Sequence, residues 1–129
     1  MTDRELLDLA YEASKNAYVP YSNFPVGAAL ECSDGTIFTG CNVENASYGA
    51  TLCAERVAVT KAVSEGHRKF SRIAIYGNSE DYCVPCGMCR QFISEFSDDI
   101  KFVCGNRGLE YAVYKFDDLL PNAFKLERS

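Results

Sequence analysis

Two short segments constrain this chain more than any others: "TLCAERVAVTKA", Thr51 to Ala62, and "VPCGMCRQF", Val84 to Phe92. In the first, a cysteine opens a stretch of helical periodicity and a glutamate follows two residues later. In the second, Cys86 and Cys89 are three apart, so on a helix they share a face and one ion can touch both sulfurs. Pro85 suits the entrance of that helix. A helix start presents unpaired N–H groups and a partial positive charge, which favours the thiolate that a metal needs. Two such starts facing each other would deliver Cys53, Cys86 and Cys89 to one Zn²⁺ and leave a fourth position for water, as in catalytic sites. Glu55 would stand close to the metal but off the ligand direction, where a proton carrier for that water belongs. Three thiolates weaken zinc as a Lewis acid, and Arg56 could offset that charge by donating to the sulfurs.

The same residues allow other readings. A C-x-x-C pair also serves redox couples and structural zinc. Cys83 could close a four-sulfur site with Cys53, Cys86 and Cys89, which would make the chain a non-catalytic zinc scaffold. Against this, Pro85 stiffens the link between Cys83 and Cys86, and a closed site has no need of Cys-Ala-Glu. Cys32, Cys41 and Cys104 fall in predicted strands and read as small buried residues. His67, the only histidine, follows a helix end in "EGHRKF" and reads as solvent-facing rather than catalytic.

The seven cysteines cannot all pair within one molecule. The opening segment "MTDRELLDLAYEASKNAY" has acids where a signal peptide needs a basic segment and an apolar run, so it reads as an amphipathic helix. Reduced thiols in a cytoplasmic protein are therefore expected. No apolar run is long enough to span a membrane. With 18 acidic residues against 13 Lys and Arg, net −5, and no basic cluster, a nucleic-acid partner is not expected. A small uncharged substrate fits better.

Residues 1–129 are long enough for one domain with its own core. Periodicity predicts a helix from Asp3 to Tyr18, stopped before Pro20, and then strands "FPVGAALEC" and "TIFTGCNVE" around the turn "SDG". A second helix runs from about Leu52 to Glu65, a strand covers "FSRIAIYG", and a third helix runs from about Cys86 to Phe96. Strands "IKFVCG" and "EYAVYKF" and a short turn or helix at "DDLLP" complete the order α-β-β-α-β-α-β-β. That order implies a five-stranded sheet with helices on its faces.

"CAER" at Cys53 to Arg56, "PCGMCRQ" at Pro85 to Gln91 and "GCNVENAS" at Gly40 to Ser47 resemble the small, homotetrameric, zinc-dependent cytidine deaminase family. The resemblance extends to "YVPYSNFPVGAAL" and "LLPNAF", and so runs nearly end to end. It implies a three-layer α/β/α fold with a mixed sheet, one zinc per chain on Cys53, Cys86 and Cys89, and hydrolytic deamination of cytidine and deoxycytidine for pyrimidine salvage. Glu55 would shuttle protons to N3 of the base and to the departing ammonia. The Ala54 N–H would hold the pyrimidine O2, and the Val84 carbonyl would accept from the amino group. Many relatives have Ser or Thr at the latter position, but the contact is made by backbone.

The resemblance assigns Asn42 and Glu44 to the ribose. As alternate residues at a strand end their side chains would point the same way, and Glu44 would repel a phosphate. Phe24 would pack against sugar or base, and Tyr48 and Phe124 would reach the pocket of a neighbouring subunit. A deaminase of a related nucleoside, of the blasticidin S type, would not need the Asn42 and Glu44 pair. A deoxycytidylate deaminase would usually begin its metal motif with histidine and carry phosphate-binding cations. An RNA or DNA editor on the same fold is disfavoured by the acidic balance. Cys83 departs from the family pattern.

Overall fold

Alternation along the strands divides the interior into two cores. In the computed structural model, which describes residues 1–96 and 99–121, one core holds Ala28, Leu30 and Cys32 of β1 (Val26–Cys32). It also holds Ile73 and Ile75 of β3 (Phe70–Gly77) and Phe102 and Cys104 of β4 (Lys101–Gly105). Their chain neighbours Ala29, Ala74, Tyr76 and Val103 point into the other core, as a period of two requires. Helix α1 (Asp3–Ser14) covers that second core with Leu6, Leu7 and Ala10. Helices α2 (Ala54–Ser64) and α3 (Gly87–Ser94) cover the first with Ala54, Ala58, Val59, Ala62 and Ile93, and the short α4 (Phe116–Leu119) adds Phe116. Three layers result, as expected.

The sheet order is β2-β1-β3-β4-β5, with β2 (Ile37–Cys41) and β5 (Tyr111–Lys115) at the edges. Among the five described strands only β3 and β4 pair in parallel. Because β1 is antiparallel to both β2 and β3, those two strands run the same way. Both α2 and α3 are therefore crossovers that leave from the same end of the sheet. That single topological fact brings the two cysteine-bearing helix starts together. Gly40 sets their depth: a Cβ there would lie 2.6 Å from the Ala54 carbonyl oxygen and 2.7 Å from the Ala58 nitrogen, so the first turns of α2 rest directly on β2.

The helices are shorter than periodicity suggests. α1 ends at Ser14, not Tyr18, and residues 15–17 close it with turn hydrogen bonds to the carbonyls of Glu12, Ala13 and Ser14. The β1–β2 turn is the predicted one, with Gly35 at φ +91° and Asp34 accepting from the Thr36 N–H at 3.0 Å. Cys32 and Cys104 are buried as expected, whereas Cys41, on an edge strand, is only half-buried. His67 does not simply face solvent. It is half-buried, edge-on to Phe38 at 5.2 Å between ring centres, with Nδ1 3.5 Å from an Asp34 carboxylate oxygen. Among the described residues no helix is long and apolar enough to cross a membrane.

Arg72 ties α1 to the sheet. Its guanidinium donates to Glu31 at 2.8 and 2.6 Å and to Asp3 at 2.8 Å. The Arg72 hydrogen bond holds the Glu31 carboxyl below its ordinary 4.5. Burial pushes Asp3 upward, but Arg72 and Lys101 together outweigh it and leave the carboxyl below its ordinary 3.8. Both folded-state values are depressed, so the stabilisation is complete above the unfolded values and is lost as pH falls through the folded ones. In Arg72→Met the acid limb of a plot of melting temperature against pH should be shallower below pH 4.5 than in the parent. Parallel limbs would show that the network contributes nothing. These groups are partly exposed, which keeps the expected difference to about 1 kcal/mol.

Candidate metal centre

Cys53 is not inside α2 but caps it, and Cys86 likewise caps α3, both with extended backbone. Pro85 is consequently buried one residue before the cap rather than in the first turn. Neither cysteine side chain makes a capping hydrogen bond to its own helix. Cys89 lies one turn into α3 and is buried, while Cys86 is exposed. The three Sγ atoms all lie within 4.8 Å of one another. Around a tetrahedral zinc with Zn–S bonds of about 2.3 Å they would sit about 3.8 Å apart.

Hydrogen bonds favour the thiolate at Cys53. The Cys89 thiol donates to Cys53, and Arg56 adds a second donor, which together hold Cys53 well below the usual thiol range. Cys89, as the donor to Cys53 and a buried group, is pushed up. Arg56 Nη2 reaches the Thr51 carbonyl at 3.0 Å and the Cys53 sulfur at 3.6 Å. Its Nε is buried without a partner among the described residues, so Arg56 has donor capacity in reserve for added negative charge. Three thiols, two helix starts and a cation turned on the sulfurs fit a zinc ion.

Glu55, in the first turn of α2, is only 4 % exposed. Burial is the main cause that pushes its carboxyl up to about 7. A group poised there can both hold and release a proton at neutral pH. Glu55 lines one pocket with Cys53, Cys86, Ala54, Val84, Asn42, Val26 and Cys83. None of these side chains is a cation.

Cys83 does not join the three thiols. Its sulfur sits over Gly77, 2.8 Å from where a Cβ would be, and its N–H donates to the Gly105 carbonyl at 2.9 Å. The four-sulfur arrangement is thus not formed. Phe24 is exposed and is not among the pocket-lining residues, but its ring tip lies 3.1 Å from the same point over Gly77, beside Cys83.

Asn42 and Glu44 lie just past β2, which ends at Cys41, and Val43 between them bridges to Tyr18 and Leu52. Both side chains hold the segment that leads into β1. Asn42 accepts from the Val26 N–H and donates to the Phe24 carbonyl, each at 2.9 Å. The Glu44 carboxylate accepts from the N–H groups of Tyr21 and Ser22, at 3.0 and 3.1 Å, and from the Ser22 hydroxyl. Glu44 is not among the residues that line the pocket. Nor is Tyr48, which lies in a 3₁₀ turn, is 77 % exposed and meets only the edge of Tyr21 among the described rings. Phe124 lies outside the described residues.

Two contributors were not singled out from the sequence. Val26 lines the pocket because β1 begins at the end of the sheet where α2 and α3 start. Arg90 donates to the Pro85 carbonyl at 2.7 Å and to the Leu119 carbonyl at 3.0 Å, fixing the approach to Cys86. An arginine directly after Cys89, echoing Arg56 beyond Cys53, was the available signal.

A mixed sheet that brings three thiols to two converging helix starts, beside a buried carboxyl, defines a candidate zinc-enzyme centre on an α/β fold. Residues 1–105 match the family model for the cytidine and deoxycytidylate deaminase zinc-binding region. The chain is 46% identical over 127 residues to a cytidine deaminase of Halalkalibacterium halodurans, covering 97% of this chain and 96% of that one. It is 47% identical over 122 residues to a probable cytidine deaminase of Dictyostelium discoideum, covering 94% and 82%. The crystal structure of a Burkholderia pseudomallei cytidine deaminase superposes with a TM-score of 0.93 at 46% identity, over 96% of this chain and all of that one. The chain belongs to the cytidine and deoxycytidylate deaminase family.

Proposed function

We propose that the protein is a cytidine deaminase that hydrolyses cytidine and deoxycytidine to uridine and deoxyuridine in pyrimidine salvage, with one zinc per chain held by Cys53, Cys86 and Cys89. The observation that carries this reading is the buried Glu55 carboxyl sharing a pocket, lined by no cation, with Cys53 and Cys86, whose sulfurs cluster with that of Cys89. Bound zinc supplies the Lewis acidity that makes water nucleophilic near neutral pH. Glu55 takes a proton from water as it adds at C4 and delivers it to N3, then takes the proton of the new C4 hydroxyl as the carbonyl forms and supplies it to the departing ammonia. Arg56 keeps the Cys53 sulfur from over-neutralising the metal. The Ala54 N–H, at the first position of α2, has no intrahelical partner and is free to hold the pyrimidine O2. The Val84 carbonyl accepts from the amino group, Asn42 and Glu44 meet the ribose, and Phe24 packs against the substrate.

Nucleosides are favoured over nucleotides because the pocket residues include no cation and Glu44 would repel a phosphate. Cytidine, deoxycytidine and deoxycytidylate, assayed side by side by the ultraviolet change on deamination, should give turnover with the two nucleosides and little with the nucleotide. Comparable kcat/KM for deoxycytidylate would overturn the assignment.

Residues 1–129 act as one domain, in the cytoplasm, without nucleic-acid or membrane partners. The working unit is a homotetramer in which Tyr48 and Phe124 of one subunit complete a neighbour's pocket. The exposure of Tyr48, Leu52 and Val43 supports this, since each leaves apolar surface uncovered in a single chain. An active monomer in light scattering on the assayed sample would refute the shared pocket.

A further inference from the structure

We propose that Cys32, Asp34 and His67 form a second cation site, for a divalent ion of the zinc class, at the end of α2 opposite the three-thiol centre. One ligand atom from each lies within 4.8 Å of the other two. Ligands held tetrahedrally at about 2.0–2.3 Å from an ion are about 3.3–3.8 Å apart. The Asp34 and His67 pair, at 3.5 Å, already has that spacing, and the Cys32 sulfur lies within 4.8 Å of both.

The three side chains sit on two turns that the backbone has already laced together. Cys32 donates its N–H to the Thr36 carbonyl at 2.8 Å, and its carbonyl accepts from Gly35 at 2.9 Å. Ser33 donates to the Lys69 carbonyl at 3.0 Å, and His67 donates to the Ala62 carbonyl at 3.0 Å. The Asp34 oxygen bound to Thr36 is not the one that faces His67, so the second oxygen is available to an ion. Phe38 fixes the imidazole from the side. Ligands pre-positioned in this way lose little freedom on binding.

Three further features favour a cation here. A cavity of about 210 Å³ opens between Cys32, Asp34 and His67, with room for an ion and water. The carboxyl end of α2 carries partial negative charge. The rim also carries two cations that oppose an added ion, Lys69 and Arg68, the latter directed to the carbonyls of Val63 and His67 at 2.7 and 3.1 Å. The donor set of sulfur, nitrogen and oxygen suits zinc or its neighbours, whereas magnesium and calcium take oxygen ligands. Binding would displace the Cys32 thiol proton and staple the β1–β2 turn to the α2–β3 connection.

The test is a titration of the zinc-loaded protein with Zn²⁺ against a chromophoric chelator. One further equivalent should bind, and Co²⁺ offered instead should give a near-ultraviolet thiolate-to-cobalt band. His67→Ala and Asp34→Asn alter surface turns and should weaken that uptake by about 100-fold or more, leaving the first zinc and cytidine turnover unchanged. Cys32→Ser should abolish the cobalt band; because Cys32 is in the core, the two surface variants are decisive if it fails to fold. Absence of further uptake by the parent, or uptake that survives His67→Ala, overturns the proposal. The comparison of parent with variant reads the second ion however the first is held.

Discussion

Replacing Glu55 with glutamine should lower kcat for cytidine by at least about 10⁴-fold while zinc content stays near one per chain. A group that moves protons in both halves of a reaction contributes about 10²–10⁴-fold in each role, and the amide can neither accept nor release one. The variant should fold at least as well as the parent. Burial raises the carboxyl to about 7 against an ordinary 4.5, so the folded state resists its ionisation and stability falls as pH rises between those values. Glutamine, of nearly the same shape, removes that cost. Melting temperature, zinc content and turnover on one preparation decide the matter: parental turnover would remove Glu55 from the mechanism, and lost zinc would make it structural.

Cys86→Ala should lose zinc and turnover together, with zinc affinity reduced by about 100-fold or more. Its exposed position means that truncation leaves no core cavity, so the helix signal in circular dichroism should persist. The melting temperature should fall toward that of the chelator-treated parent, because an ion that binds only the folded chain stabilises it. Cys83→Ala, by contrast, should keep its zinc. If Cys83→Ala loses zinc as readily as Cys86→Ala, the sulfur over Gly77 moves into the cluster on metal binding and the four-sulfur scaffold returns.

Much of the molecule was legible one segment at a time. "FSRIAIYG" became β3 with the bounds read from the sequence, since a β-branched and aromatic run between polar loops has few alternatives. Helix bounds were less legible: Cys53 and Cys86 read as first helical residues and are caps instead. Periodicity detects the face a residue shares with later turns, and a cap can share it while its backbone is still extended. The pair Asn42 and Glu44 was found by motif, but its partners were not. The N–H groups of Val26, Tyr21 and Ser22 that bond these side chains belong to a distant part of the chain, and local pattern carries no information about them.

The sequence by itself determined the order of the elements, the alternation that splits the interior into two cores, and the presence of thiols and a carboxyl at helix starts. Those follow from periods of two and about 3.6 and from the chemistry of single side chains. Only the tertiary structure decided that the starts of α2 and α3 converge, that Cys83 stands apart over Gly77, and that Cys32, Asp34 and His67 gather at the far end of α2. Each depends on β1 pairing antiparallel with both β2 and β3, so that two crossovers leave from one end of the sheet. That pairing is chosen by the burial of whole faces against one another, a property of the assembled sheet rather than of any one segment.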